Sequence, residues 1–183
     1  MIGKYRGWWL GVALLTGLSA GMAHAGDSQI GIRMGKVELK VDADSMISGE
    51  PVDESLRSIG ITFSHRWDGG AYVQLGIGGA TNLDIFSFDS VDHQWLAGGW
   101  QFDLQDEWKL TPKLGLAYSS LEAEDDELFD DEPVSRIKDT IPFVELAIER
   151  SIGRHFGASL FVRENFETWG SSRGWGLGLN WTW

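Results

Sequence analysis

The stretch GWGLGLNWTW, residues 174–183, puts Trp175, Leu177, Leu179, Trp181 and Trp183 on one parity. Gly174, Gly176, Gly178, Asn180 and Thr182 fall on the other. Successive side chains of a β-strand point to opposite faces, so this alternation reads as a strand with one large apolar face and one small or polar face. Chain termini usually fray into water, yet this one carries its heaviest apolar residues. The face must rest on something apolar, either a protein core or a lipid.

Residues 1–25, MIGKYRGWWLGVALLTGLSAGMAHA, have the layout of a cleaved secretory signal peptide. Lys4 and Arg6 form a basic start, Trp8 to Leu18 an apolar run, and Ala23-His24-Ala25 a small-residue cleavage site. The apolar run is shorter than the roughly 20 residues of a spanning helix. No cysteine follows the site, which excludes a lipid-anchored lipoprotein. The expected organisation is a signal peptide, 1–25, and one domain, 26–183.

That domain has no cysteine, so disulfides cannot hold an exported chain together. A packed core or closed backbone pairing must do so. The formal charge of −12 becomes two units more negative once Lys4 and Arg6 leave, which argues against a nucleic-acid partner. Twenty-four glycines against four prolines suit strands and turns better than helices.

The alternation recurs along the domain. Ile30, Ile32 and Met34 share a parity, and Val37, Leu39 and Val41 follow after an apparent phase slip at Gly35 that suggests a bulge. Ile59, Ile61, Phe63, His65 and Trp67 lead to the turn Asp68-Gly69-Gly70, and Ala71, Val73, Leu75 and Ile77 follow it. Further runs centre on Leu96–Leu104, Leu114–Tyr118, Val144–Ile148 and Phe156–Val162. With the terminal stretch this makes eight strands. Long polar links are expected near 42–54, 81–92, 122–137 and 165–173, and short ones near 68–70, 105–113 and 152–154. Alternating long and short links describe an all-β, antiparallel, up-and-down meander, which closes into an eight-stranded barrel and so removes its edges.

Such a barrel is either soluble, with its apolar face inside like a lipocalin, or transmembrane, with that face on lipid. The polar parity favours the second. It mixes small residues (Gly76, Gly78, Ala97, Gly99, Gly115, Ala117, Ala147) with long charged ones (Arg33, Arg66, Glu145, Glu149, Arg163). Glycine weakens a strand whose side chains merely face water, whereas in a narrow bore it makes room for ion-paired neighbours. Trp67, Trp108, Trp169, Trp175, Trp181 and Trp183 fall near expected strand ends, where membrane barrels carry aromatic girdles.

On these residues the chain resembles the small bacterial outer-membrane β-barrels of the OmpA/OmpX type, over essentially all of 26–183. That family's C-terminal assembly signal resembles polar-x-Gly-x-x-aromatic-x-aromatic. Gly178, Trp181 and Trp183 match its last three marked positions, while Gly176 stands where a polar residue is expected and Trp183 replaces the commoner Phe. The resemblance implies an eight-stranded transmembrane barrel in the outer membrane of a Gram-negative bacterium. Its partners would be lipid, lipopolysaccharide and the insertion machinery, with periplasmic termini and four extracellular loops. A monomer is expected, and no cofactor.

For function, three classes compete. A lipid A-modifying enzyme needs a nucleophile with a base in reach. The domain offers His65 beside Trp67, His93 in an expected loop and His155 near a short turn, and the adjacent Ser64 and His65 point to opposite faces. Nothing there forms a catalytic pattern. A narrow porin needs an open bore. Eight strands leave a space that side chains fill, and Arg33, Lys36, Glu38, Arg66, Asp103, Glu145, Glu149 and Arg163 would fill it with both signs. The expected pairs join Arg66 and Arg163 to some of Asp103, Glu145 and Glu149. The third class, a non-enzymatic barrel with a structural or surface-interaction role, fits best. Its third loop contains EAEDDELFDDE, residues 122–132, with eight acids around Leu128 and Phe129. Such a run is a solvated loop, a captor of basic partners, or a weak divalent-cation site at Asp125, Asp126, Asp130 and Asp131.

Overall fold

The period-2 segments form long antiparallel strands in the computed structural model, which describes residues 26–41, 52–81, 90–123, 135–167 and 170–183. The strands are β1 (Gly26–Val41), β2 (Val52–Trp67), β3 (Ala71–Thr81), β4 (Ser90–Trp100), β5 (Phe102–Asp103), β6 (Trp108–Ala123), β7 (Ser135–Ile152), β8 (Phe156–Asn165) and β9 (Gly170–Thr182). The two residues of β5 continue β4 past Gln101, so the wall has eight staves. The expected signal peptide, Trp169, and Asp125, Asp126, Asp130 and Asp131 lie outside the described residues.

Each stave pairs with its neighbour in the chain, and β9 returns to β1 from Gln29↔Thr182 to Val41↔Gly170. The sheet is therefore a closed, eight-stranded, antiparallel barrel. Its faces are inverted relative to a soluble barrel. Ile32, Leu116, Leu146 and Leu177 are more than half exposed, while Arg33, Lys113, Glu145 and Glu149 are buried inside. An outer surface of this kind is stable against lipid and costly against water. Trp67, Trp100, Trp181 and Trp183 ring the end with the short turns, and Trp175 and Tyr118 face outward nearer the other end. This is the amphipathic placement that membrane interfaces favour.

Four expectations need correction. The first is the phase slip at Gly35. The pairing of β1 with β2 is continuous from Gly26↔Trp67 to Val41↔Val52. Lys36 and Glu38 therefore face outward, and Leu39 is buried inside. What changes at Gly35 is the surroundings: the strand rises out of the apolar belt, so its outer face turns charged and its inner face apolar. Gly35 itself serves close approach, since a Cβ there would lie 2.2 Å from the Trp175 carbonyl oxygen.

Second, the short link expected at 105–113 ends before Trp108, and Thr111-Pro112-Lys113 within that range is strand. The turn lies at Leu104–Glu107, with Asp106 and Glu107 at φ 58° and 66°, and the strand continues through Pro112. Pro112 sits between Lys113, opposite Gly99, and Leu110, opposite Phe102. The ladder breaks where proline has no N–H to give. Third, the connection expected at 165–173 is short, because β8 reaches Asn165 and β9 begins at Gly170. Fourth, His93 lies within β4, opposite Gly78 and Ser119, and not in a loop.

Candidate functional site

The inner parity of four staves meets at one carboxylate. Glu145 on β7 is fully buried and receives three cations. Arg33 from β1 makes a two-pronged contact, Nη1 to Oε2 at 2.9 Å and Nη2 to Oε1 at 2.8 Å. Lys113 from β6 places Nζ 2.5 Å from Oε1. Arg163 from β8 donates Nε to Oε2 at 2.8 Å. Buried ions need partners, because an isolated charge out of water costs several kcal/mol. Here three positive groups share one negative one.

Aromatic rings and missing side chains make room for them. The Arg163 guanidinium lies 4.1 Å from the Phe143 ring centroid and 4.5 Å from that of Trp95, and Arg33 lies 3.5 Å from that of Phe161. Trp95 occupies the place a side chain at Gly76 would take, with indole carbons 2.1 Å from an ideal Cβ there. Phe143 does the same over Gly115 at 2.4 Å. These glycines are the vacant half of a packing pair, which is why small and large residues mix on this parity.

Toward the short-turn end the bore holds amides. Glu149 accepts from Gln29 Nε2 at 3.3 Å and Asn180 Nδ2 at 2.5 Å. Lys113 Nζ donates to Gln74 Oε1 at 3.2 Å, and Gln74 Nε2 to the Tyr72 hydroxyl at 3.2 Å. Two cavities lie on opposite sides of the Glu145 layer. One, of about 60 Å³, is lined by residues including Trp95, Phe161 and Arg163. The other, of about 20 Å³, is lined by residues including Gln74, Lys113 and Glu149.

The structure thus brings Arg163 and Glu145 together. Arg66 and Asp103 also pair, but at the short-turn mouth, where Asp103 is exposed. Glu149 is held by amides and not by arginine. Lys36 and Glu38 are not in the bore. Lys113 was missed because Pro112 suggested a turn. Extending the alternation of Gly115 and Ala117 back through the proline would have placed it inside.

Gly178 faces inward, with an ideal Cβ 2.5 Å from Ser159 Oγ, while Trp181 and Trp183 face outward at the rim. Trp181 stacks on His155 at 5.6 Å and meets Phe156 edge-on at 4.5 Å. Trp183 exchanges backbone hydrogen bonds with Ser28. His65 is buried on the outer parity, with Nδ1 3.0 Å from Ser28 Oγ and Trp67 edge-on to its ring. Among the described residues no carboxylate orients this pair, and no group of three or more His, Cys, Asp or Glu is placed to hold a metal ion.

No protein-family model and no curated protein matches the sequence. Solved structures do match the fold. Neisserial surface protein A has a TM-score of 0.65 at 11% identity, over 85% of this chain and 96% of its own. Ail, the attachment invasion locus protein of Yersinia pestis, solved with the heparin analogue sucrose octasulfate, has a TM-score of 0.64 at 13% identity, over 87% and 99%. The N-terminal barrel domain of Pseudomonas aeruginosa OprF gives 0.61 at 12%, over 87% and 98%. At these identities the likeness is one of fold, that of the small outer-membrane β-barrels.

Proposed function

We propose that this chain is a non-enzymatic outer-membrane β-barrel with a closed bore, acting at the cell surface through its loops and the lipid around it. The carrying observation is the Glu145 layer. Side chains from β1, β6, β7 and β8 converge on one point across the bore and separate the two cavities. A barrel filled in this way is a plug of ion-contacting side chains, not a water-filled channel. The signal peptide at 1–25 and the terminal assembly signal fit export and insertion.

The outer face supports a lipopolysaccharide contact. Lys36 and Arg57 are directly opposite across β1 and β2, both exposed, one outward step above Met34 and Ile59. Like charges at facing positions repel, so a phosphate between them would relieve the pair. The acidic run at 122–132 adds a divalent-cation role beside that phosphate-rich surface, through Asp125, Asp126, Asp130 and Asp131. Calorimetry with calcium should give heat that disappears when those four become Asn. No heat in either form leaves a solvated loop or a basic partner.

The closed bore is tested in planar bilayers. The purified protein should show small or no conductance. A steady, large, salt-proportional conductance would overturn the filled-lumen reading and return the narrow porin.

A further inference from the structure

The geometry points to a binding site for a small, proton-bearing oxyanion of phosphate size in the larger cavity, on the loop side of the Glu145 layer. Three polar atoms of its lining residues are buried and without a hydrogen-bond partner: Trp95 Nε1, Arg163 Nη2 and Asn165 Oδ1. Arg163 Nη2 does lie 2.7 Å from Glu145 Oε2, but out of line for a hydrogen bond, which Nε makes instead. Buried polar groups are paired in native proteins, so three such atoms on residues that line one cavity point to a polar ligand there.

Charge defines its sign. Arg33, Lys113 and Arg163 surround Glu145. Among the described residues two further buried carboxylates are Glu149, on the far side and held by amides, and Glu167, reached from Asn165 through Ser172. Three cations still face fewer acids on the cavity side. The cavity floor therefore carries excess positive charge in a chain whose formal charge is −12. Size follows from volume. A single water needs about 10–15 Å³ of such space, so this cavity of about 60 Å³, which is open on one side, has room for a small ion of phosphate size.

The third atom refines the class. Asn165 Nδ2 donates to Ser172 Oγ at 2.8 Å, and Ser172 Oγ gives its one proton to Glu167 Oε1 at 2.5 Å. This chain fixes the amide, so the unpartnered Oδ1 remains an acceptor. Trp95 and Arg163 offer donors to anionic oxygens, while Asn165 asks for a hydroxyl. Hydrogen phosphate supplies both. Sulfate, of similar size and charge, has no proton to give.

The test reads the Trp95 indole N–H resonance in 15N-labelled protein extracted from membranes in detergent, assigned by its loss in Trp95→Phe. Sodium phosphate at neutral pH should shift it saturably, and sodium sulfate at equal ionic strength at least tenfold more weakly. Asn165→Ala, checked for folding by heat-modifiable gel mobility, should bring the two salts to within about twofold. If that variant does not fold, the wild-type contrast decides alone. No saturable shift, or equal shifts with both salts, overturns the proposal and leaves a hydrated cavity or an unselective one. A shift seen only when lipopolysaccharide is added, with inorganic phosphate inert, overturns the free-anion site in favour of a headgroup.

Discussion

Glu145 and Glu149 stand four residues apart on one strand and face the same bore, yet their surroundings differ in kind. Glu145 neutralises part of a cluster of three cations, and Glu149 accepts from two neutral amides. Removing one partner of a buried ion pair leaves the other uncompensated, at a cost of about 3–5 kcal/mol. Removing an acceptor from amides costs about 1–3 kcal/mol. Glu145→Gln should therefore destabilise the folded barrel far more than Glu149→Gln, as read from urea titrations of tryptophan emission in detergent. Equal losses would show that the three cations find other compensation. The sequence displayed Arg33, Glu145 and Arg163 as inward residues and offered Glu145 among the partners of Arg163, but it brought neither Arg33 nor Lys113 to that carboxylate. Alternation assigns a face to a residue, whereas pairing depends on how far each stave is sheared against the next, and no local signal carries that.

At the scale of strands, the pattern was legible wherever the surroundings stayed constant along the stave. From Gly174 to Thr182 β9 keeps its large apolar side chains outward and its small or polar ones in the bore, and the parity of that stretch holds throughout. β1 leaves the apolar belt near Gly35, so the same alternation acquires the opposite chemistry and imitates a bulge. β6 contains Pro112, a strong turn signal in isolation, at the one place where its partner strand breaks. The strand that carries the presumed assembly signal also closes the ring. Trp183→Ala, and more so deletion of Trp181 to Trp183, should lower the amount of barrel in the outer membrane well below that of Trp67→Ala. Trp67 is an outward rim aromatic too, but it lies on β2, away from the closing seam. Matched membrane levels for all three variants would mean that these tryptophans serve only as interfacial anchors.

Viewed whole, the molecule has two dissimilar ends. The short-turn end holds both strand termini of the closing seam, the turns at Asp68–Gly70, Leu104–Glu107 and Gly153–His155, and the exposed tryptophans Trp67, Trp100, Trp181 and Trp183. The opposite end carries the outward charges Lys36, Glu38, Lys40 and Arg57 and the connections 42–51, 82–89 and 124–134. Small outer-membrane barrels place short turns in the periplasm and longer loops outside. That orientation turns the basic Lys36–Arg57 pair toward the outer leaflet, where the proposed lipopolysaccharide contact would lie, and the acidic run of residues 122–132 begins at the loop end of β6. Single cysteines at Ser48, Asp89 and Asp126 should therefore react with a membrane-impermeant maleimide on intact cells, because the chain has no native cysteine to compete. A cysteine at Gly69 should react only after the outer membrane is permeabilised. Labelling of Gly69→Cys on intact cells, with the other three protected, would invert the barrel, and with it the placement of the phosphate contact and of the anion cavity that opens on the loop side of the Glu145 layer.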